Sequence, residues 1–484
     1  MKWLSRGLWV VVWLAFFARG MIMLDPDFGW HLRLGEMTVS EGLAKSEPFS
    51  YSMPSYYFVD YEWLTNAAIY WMYEWAGMAG LAAVFALLAM LALEAAVPEK
   101  WREYRWPGLI LGWAVLWGRS GVRPQVLSWV LLAVVVRMLD RQNWKRWRWA
   151  FGILMAVWAN LHGSWPVGLA AAAVVIGWRW LEARKIEFED IAAGGLGALA
   201  VLVNPYGWKL AYEVGRQMIW GGKLMRIGIQ EWLPWYTSVE LAFWMLLVLA
   251  MALGWRYRRA IGREWWAVAA FLAWAGTASL RNMALFAVMG VPLAAEGVGR
   301  LRAESDGKRF GVVYRLLAGL AGVLLGVEVA LFGIEYMLTG ERGYYPVRTV
   351  EYLRTLDYRG NLFSNYGWGG YLIWKYPEKK VYIDGRMSNF VGDEKPGETG
   401  YVFREYLGIG EDEITLGEIF NKYDVEVVLW PRKKPGRMVW NIKLPAVFGG
   451  RDEKIKDFWE EMDNLGWDKI YEDETAVVYR RPSG

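Results

Sequence analysis

Long uncharged runs of apolar residues recur through the first two thirds of this 484-residue chain, and they restrict its fold more than any other feature. A bilayer span needs about 20 mostly apolar residues, and several of these runs approach or reach that length. Hydrophobic residues make up 55% of the chain. The sequence is therefore predicted to form a membrane protein rather than a large soluble one.

About eleven of these runs are predicted to cross the membrane as helices. They lie near residues 7–24, 77–97, 107–118, 122–138, 149–162, 164–181, 190–203, 238–254, 264–280, 282–298 and 311–338. The first run, with Lys2 and Arg6 near its start, imitates a secretory signal. No small-residue cleavage site follows it, so it is predicted to remain as the first span.

Charge predicts the orientation, because cytoplasmic loops carry the excess of Lys and Arg. With the N-terminus in the cytoplasm, every basic cluster falls on the cytoplasmic side: those beginning at Glu99, Arg137, Arg179, Arg256 and Arg300. An odd number of spans then places the chain after about residue 340 outside the cytoplasm. The predicted location is the cell (inner or plasma) membrane. The net charge of +4 is too small to indicate nucleic-acid binding.

Residues 340–484 differ in kind from the transmembrane domain predicted for residues 1–339. They are predicted to form a soluble extracytoplasmic α/β domain. Strand-like runs begin at Asn361, Lys380, Val425, Asp468 and Ala476, and helical patterns cover about 346–357, 399–421 and 452–465.

The first predicted outer loop, residues 25–63, is longer than a turn requires, and long ordered loops are often functional. Within it, residues 28–43 have the spacing of an amphipathic helix, which can lie at the membrane interface.

Uncommon polar residues gather at the predicted outer membrane boundary. They include both histidines of the chain and are Asp25, Asp27, His31, Asp60, Glu62, Arg119, Arg123, Asn160, His162, Asn204, Glu231, Arg281 and Asn282. Ionisable groups at membrane depth are costly and tend to mark functional sites.

Each of these residues also has a structural interpretation. Asp25 with Pro26 is typical of a helix N-cap followed by the first helical residue, where Asp27 favours the helix dipole. Asp60 and Glu62 can serve as solvated interfacial groups. The arginines can bind lipid headgroups or neutralise carboxylates. His162 can be a packed, hydrogen-bonded residue.

The combination of carboxylates and arginines favours one chemistry in particular. A carboxylate acts as general base on an acceptor group, and arginines stabilise the negative charge that builds on a phosphate leaving group. Asp27 and His31, four residues apart on a helix, share a face and have ligand types suited to a divalent cation such as Mg²⁺ or Mn²⁺. Cysteine is absent, which excludes disulfides, cysteine nucleophiles and thiolate metal sites.

Two short acidic motifs, "DPD" at Asp25 to Asp27 and "DYE" at Asp60 to Glu62, occur in this setting of many spans and an outer domain. The chain resembles the GT-C superfamily of integral membrane glycosyltransferases, which includes protein O-mannosyltransferases, oligosaccharyltransferases and lipid A aminoarabinose transferases. The phrases "GWHLRLGE", "WANLHGSW" and "WGGYLIWKYPEKKVYIDGR" resemble uncharacterised multispan proteins grouped with it. A "WWD"-type motif is absent from residues 340–484, which argues against the oligosaccharyltransferase branch.

The resemblance implies a sugar donor carried on a polyprenyl phosphate or diphosphate and inverting transfer, outside the cytoplasm, to a glycan, lipid or protein acceptor. It also implies that the base is Asp27 or Asp25, of which we favour Asp27. Asp60 or Glu62 supplies a second carboxylate, and the donor phosphate is bound by Arg119, Arg123 and Arg281. The predicted substrate-orienting residues are His31, His162, Asn160, Asn204, Glu231 and Asn282.

Two other functions fit parts of the sequence. A transporter or flippase of lipid-linked sugars is expected to carry ionisable residues inside spans, where Glu94 and Glu328 are candidates, but we find no internal repeat. A non-catalytic assembly or receptor protein would bind its partner through the outer α/β domain. Its densest stretch is Asn365 to Arg386, although turns and a buried strand end also explain the glycines there.

Overall fold

A computed structural model describes residues 2–221, 225–226, 229–339, 344–390, 402–409, 414–432 and 458–482. Every apolar run predicted to span the membrane is helical in it. Along residues 2–339 the helices are α1 (Lys2–Ile22), α2 (Phe28–Ser40), α3 (Trp63–Ala96), α4 (Trp106–Trp117), α5 (Gln125–Met138), α6 (Arg141–Trp147), α7 (Ala150–Leu161), α8 (Pro166–Ala183), α9 (Phe188–Ala200), α10 (Trp208–Arg216), α11 (Leu241–Arg256), α12 (Arg263–Ala278), α13 (Met283–Glu304) and α14 (Gly307–Thr339).

Among the described residues, three helices are long and apolar enough to cross a bilayer by themselves: Trp63–Ala96, Leu280–Glu304 and Gly307–Ile334. Shorter apolar helices include α4, α5, α7 and α11. Helix α3 is kinked at Gly77, whose φ of 62° departs from helical geometry. The predicted span therefore begins at this kink, and the number of spans stays a prediction.

The chain folds as two compact units. The helical unit comprises Met1–Met23, Met72–Ala211 and Gln230–Ile334. The α/β unit comprises Leu24–Trp71, Tyr212–Ile229 and Glu335–Gly484. The α/β unit thus takes in the long first loop as well as the C-terminal residues that were predicted to form a domain of their own.

Helix α13 forms the centre of the helical unit. In the most apolar 18-residue stretch of α13, 83% of the residues are buried. In that of α14 only 11% are buried, and residues such as Leu316 and Leu320 are exposed. Helix α13 packs against α4, α5, α11 and α12. A helix that is apolar all round is stable only in a core or a membrane, so α13 and α14 show the two ways to satisfy that requirement.

The C-terminal part of the α/β unit is built on a four-stranded sheet. Its strands are β1 (Asn361–Ser364), β2 (Val425–Pro431), β3 (Asp468–Glu472) and β4 (Ala476–Arg480), and the sheet order is β1-β2-β4-β3. β1 pairs with β2 in parallel, and the other two pairs are antiparallel. The helices are α15 (Val347–Leu353), α16 (Gly369–Lys375), α17 (Val402–Ile409), α18 (Leu416–Lys422) and α19 (Phe458–Asn464).

Four of the five predicted strands are confirmed, and the strand predicted at Lys380 is wrong. Val381 makes only an isolated bridge to Ser50 of the first loop. The Val381 N–H donates to the Phe49 carbonyl at 2.9 Å, and the Tyr51 N–H donates to the Val381 carbonyl at 3.2 Å. The first loop therefore takes the backbone partners that a sheet strand would need. Parts of the predicted helices, at 399–401, 410–413 and 452–457, lie outside the described residues.

The amphipathic helix predicted in the first loop forms as α2, and its apolar face packs within the α/β unit against α16. Backbones approach closely there. A Cβ placed on Gly29 would lie 1.9 Å from the Gly370 carbonyl oxygen, and one on Gly370 would lie 2.0 Å from the Pro26 oxygen. Only glycine permits this contact, which joins two phrases noted in the sequence, "GWHLRLGE" and "WGGYLIWK".

Because Gly29 and Gly370 lie so close together, one methyl group added at Gly29 is predicted to have a large effect on stability. Gly29→Ala is expected to destabilise the α/β unit by about 1–3 kcal/mol, because the Gly370 carbonyl belongs to a packed helix and must move as backbone. The measurement is the apparent melting temperature in detergent. The matched control is Gly177→Ala in α8, where a Cβ meets nothing within 4 Å and a helical alanine is favoured. Equal melting temperatures for the two variants would contradict the packing described.

Candidate functional site

The first acidic motif forms a tight turn before α2. The Asp27 N–H donates to Asp25 Oδ1 at 2.9 Å, so the Asp25 carboxylate caps this turn. The regular helix begins at Phe28 with Asp27 at the N-cap, two residues later than the pattern of Asp25 and Pro26 indicated. The backbone N–H of Phe28 still bonds back to the Asp25 carbonyl. The capping interpretation of Asp25 thus holds for its side chain and is wrong for the helix start.

The Asp27 carboxylate is half-buried. Its Oδ1 accepts a hydrogen bond from Trp30 Nε1 at 3.0 Å. The same oxygen lies 1.9 Å from the position that a Cβ on residue 385 would take, so any larger residue at Gly385 would displace this carboxylate. Asp27 is therefore held in one orientation by an indole and by close backbone, which suits a residue that must be positioned rather than mobile.

The second acidic motif lies in a buried polar network. Asn66 Nδ2 donates to both carboxylate oxygens of Asp60, at 3.0 and 2.8 Å, and the Glu62 N–H donates to Asp60 Oδ1 at 3.0 Å. His31 Nδ1 lies 2.7 Å from Asn66 Oδ1 and 3.7 Å from Glu62 Oε2. Since the Asn66 oxygen can only accept, Nδ1 of His31 carries the proton. Three predicted site residues are thus brought together through Asn66, which the sequence did not single out.

Burial makes Asp60 unusual among these carboxylates. Its removal from water raises the pKa of Asp60 to about 6, and the hydrogen bonds from Asn66 and Glu62 only partly offset this effect. Asp60, Glu62, Tyr56, Glu213 and Arg386 line a cavity of about 20 Å³, enough for one water molecule. A carboxyl that titrates near neutral pH beside a water-sized cavity can exchange a proton.

A buried group of three charged side chains supports this network: Arg386, Asp384 and Glu47. The sequence alone did not identify this group. Arg386 is 4% exposed and donates from Nε and Nη2 to the two oxygens of Asp384, at 2.8 and 2.7 Å. Nη2 also donates to Glu47 at 2.8 Å. Burial raises the pKa of Glu47, and Arg386 only partly offsets it. The signal in the sequence was "IDGR", the end of the stretch for which a binding role and a structural role, in turns and a buried strand end, were both open.

The helical unit holds a separate cluster of arginines, on loops 118–124 and 279–282. Arg119 donates from Nε to the Leu280 carbonyl at 2.7 Å and pairs through Nη2 with Glu240 at 3.1 Å. Arg123 and Arg281 both pair with Glu231, at 2.9 and 2.6 Å. All three predicted phosphate-binding arginines are thus engaged with carboxylates, as one structural interpretation of them proposed.

Two further features of this cluster were not expected. Arg19, buried at the end of α1, donates to the Gly118 and Ser120 carbonyls, and it adds a fourth cation beside the loop of Arg119. Although burial raises the pKa of a carboxyl, the charges of Arg123 and Arg281 outweigh it and lower the pKa of Glu231 to about 2. Glu231 therefore stays ionised and acts as the bridge between two arginines rather than as a titrating group.

The remaining predicted substrate-orienting residues of the helical unit serve local structure. His162 Nδ1 lies 2.9 Å from Ser128 Oγ and 2.8 Å from Ser164 Oγ. Asn160 Nδ2 donates to the Ala156 and Val203 carbonyls. Asn204 closes its own turn through Val201, Tyr206 and Gly207, and Asn282 is the N-cap residue of α13. Their roles toward substrate stay predictions.

The structure gives no added support to a cation at Asp27 and His31. In the described part of the chain, no three His, Asp or Glu side chains gather in a way that could hold a metal ion. Asp27 Oδ1 faces Trp30, while His31 Nδ1 faces Asn66. The Mg²⁺ or Mn²⁺ requirement stays a prediction.

Two solved structures share this fold along nearly the whole chain. One is ArnT from Cupriavidus metallidurans bound to undecaprenyl phosphate, with 15% identity, a TM-score of 0.53, and coverage of 99% of this chain and 98% of that chain. The other is the same protein in the apo state, with 15% identity, a TM-score of 0.55, and coverage of 99% and 97%. No family model and no curated protein matches the sequence. ArnT is an aminoarabinose transferase of the GT-C type. The chain therefore has the fold of these two structures, and the predicted fold class, a helical bundle with a C-terminal α/β part, is confirmed.

The raised pKa of Asp60 predicts a pH dependence of stability. Between pH 3.8 and about 6 the folded protein holds a proton on Asp60 that the unfolded chain releases, so stability falls as pH rises through this window. The full effect is roughly 3 kcal/mol. Melting temperatures measured from pH 4 to 7 should show it, and Asp60→Asn should remove that component. Asp468→Asn, an exposed control, should keep the wild-type slope; if both variants keep it, the assignment to Asp60 is wrong.

Proposed function

We propose that this protein is a glycosyltransferase that takes a sugar from a polyprenyl-phosphate carrier and transfers it, with inversion, on the extracytoplasmic side of the inner or plasma membrane. The observation that carries this proposal is the fold, shared over 99% of the chain with a protein whose structure holds undecaprenyl phosphate. The acceptor is a glycan, a lipid or a protein. The proposed orientation, with the N-terminus in the cytoplasm, rests on the charge bias of the loops.

The arginine cluster supports a site for the carrier phosphate. The guanidinium of Arg119 pairs with Glu240, and those of Arg123 and Arg281 pair with Glu231. Arg19 and Arg119 also lie within electrostatic range of Glu328 of α14. Four cations against three carboxylates leave a formal excess of one positive charge. Guanidinium pairs well with phosphate because its planar fork donates two parallel hydrogen bonds. We assign donor phosphate binding to Arg119, Arg123 and Arg281.

The first-loop carboxylates support a base. The proposed base remains Asp27, because its side chain is fixed by Trp30 and Gly385 while that of Asp25 is used by its own turn. Asp60 is the proposed second carboxylate: with a pKa of about 6 it can accept a proton and return it near neutral pH. Glu62 and His31 share its hydrogen-bond network and are proposed to keep it in place.

The proposed reaction is a single displacement. The carboxylate of Asp27 removes the proton from the acceptor, whose oxygen or nitrogen forms a bond to the anomeric carbon. The bond from that carbon to the phosphate oxygen breaks on the opposite face, which inverts the configuration. The electron pair leaves with the polyprenyl phosphate, and the arginines stabilise its added negative charge.

Asp27→Asn is expected to reduce transfer at least a hundredfold, because the amide keeps the hydrogen bond from Trp30 but is a poor base. Purified protein would be given tritiated undecaprenyl-phosphate sugars and an envelope lipid and glycan fraction, and labelled product would be counted. Asp25→Asn is the matched control and is expected to retain most activity. Undiminished transfer by Asp27→Asn would overturn the assignment.

The same assay separates this function from the two alternatives. Wild-type protein in vesicles that moves labelled lipid across the bilayer, with no new glycosidic bond, would identify a transporter or flippase. Absence of both activities, with retained binding of a soluble partner to the α/β unit, would identify an assembly protein.

Arg281→Gln is expected to weaken binding of undecaprenyl phosphate about tenfold, since it removes one charge-assisted contact worth about 1.5 kcal/mol. Binding would be measured as the lipid-induced rise in melting temperature of the purified protein. Arg309→Gln, an exposed arginine near the start of α14, is the charge-matched control and should bind as wild type does. If both variants bind equally well, Arg281 is not part of the phosphate site.

A further inference from the structure

A second cationic site lies in the helical unit, away from the loops that carry the arginine cluster. It is an open groove of about 890 Å³ formed by the turn between α11 and α12 together with the end of α8. We call it the turn groove. Its charged and aromatic lining is Trp178, Glu182, Trp255, Arg258, Arg259, Arg263 and Trp266.

The charge of the turn groove is strongly one-sided. Two carboxylates, Glu182 and Glu264, lie in or beside it, and both have cationic partners: Arg141 pairs with both of them, and Arg179 pairs with Glu264 at 3.2 Å. In the described part of the chain, neither Arg259 nor Arg263 has a hydrogen bond or an ion pair through its side chain. The groove therefore presents a surface with a net positive charge, since it is lined by three arginines and one carboxylate.

Arg263 also stands where a cation is unfavourable. It is the first residue of α12, a helix of 16 residues, and the positive end of the helix dipole destabilises a positive side chain there. The carboxylate in the first turn, Glu264, is buried and pairs with Arg141 and Arg179 rather than with Arg263. An anion bound beside Arg263 would offset the unfavourable position of its charge.

The aromatic lining indicates where the anion comes from. Trp255 is 66% exposed, and the guanidinium carbon of Arg258 lies 4.7 Å from the centre of its ring. Tryptophan favours the membrane interface, where one side of the ring is apolar and the other is hydrated. Because α11 and α12 are predicted spans, their connecting turn lies at that interface. Ala267 and Ala270 extend the wall of the groove along α12 with small apolar groups.

We infer that the turn groove binds the phosphodiester headgroup of an anionic phospholipid, with Arg259 and Arg263 on the phosphate and the acyl chains along the apolar wall. The chemistry needed is a phosphate anion joined to an apolar body, since the groove is lined by both cationic and apolar side chains. Basic pockets between spans are suited to such headgroups. This inference does not rest on the proposed transferase activity, because it concerns other residues and a different ligand.

The experiment compares lipids on the full-length protein in detergent. Phosphatidylglycerol is expected to raise the melting temperature of the wild type, whereas phosphatidylcholine at the same concentration should not. Arg259→Gln with Arg263→Gln should weaken phosphatidylglycerol binding at least tenfold. The control removes two exposed cations elsewhere, Lys145→Gln with Arg146→Gln, and should bind as the wild type does.

Three outcomes would overturn the inference. Unchanged binding by the groove variant would exclude Arg259 and Arg263. Equal loss in both double variants would indicate general surface charge rather than a site. Equal stabilisation by glycerol phosphate would indicate a free soluble anion rather than a lipid. Retained transferase activity in the groove variant, alongside lost lipid binding, would confirm that the two sites are independent.

Discussion

Arg386 joins the first loop to the C-terminal residues through a buried interaction that restricts where its partners can lie. Its guanidinium is surrounded by the rings of Phe49, Phe58 and Phe390 and bonds to Asp384 and Glu47, 339 positions before it. Removing one partner of such a group leaves an uncompensated buried charge, at a cost of several kcal/mol. The position of Glu47 therefore follows from that of Asp384. The adjoining turn, through Gly385, sets the space into which Asp27 fits.

The need to pair charged groups also shapes the helical unit. Each arginine on the loops around residues 119 and 281 has a carboxylate partner, so the cluster is stable without ligand. A phosphate that binds there must compete with Glu231, whose ionised form these arginines stabilise. Binding is thus expected to be favourable but reversible, which suits a carrier lipid that must leave after the sugar is transferred. The turn groove is different, because no carboxylate among the described residues pairs with Arg259 or Arg263.

Sequence patterns predicted the local elements well. Helices formed at all of the apolar runs, and four of five strands formed where alternating residues indicated them, because periodicity reports on the nearest neighbours along the chain. The strand predicted at Lys380 did not form, because the first loop, more than 300 residues earlier, supplied the backbone hydrogen bonds that a neighbouring strand would have supplied. Asn66 could not be recognised as a site residue from the sequence, because it looks like an ordinary residue of a helix. Its importance comes from the contacts it makes to His31 and Asp60.

The sequence by itself determined that the chain is a multi-pass helical protein with a small α/β part, and that its unusual polar residues occur at span ends. The length of an apolar run and the charge of a loop depend only on residues that are close together in the sequence. Both can therefore be recognised without knowledge of the fold. Only the tertiary structure decided that the first loop belongs to the α/β unit, that Asp25 closes a turn while Asp27 faces Gly385, and that Glu231 bridges two arginines. Those outcomes depend on pairs of residues far apart in the chain, and burial makes each of these contacts costly to lose.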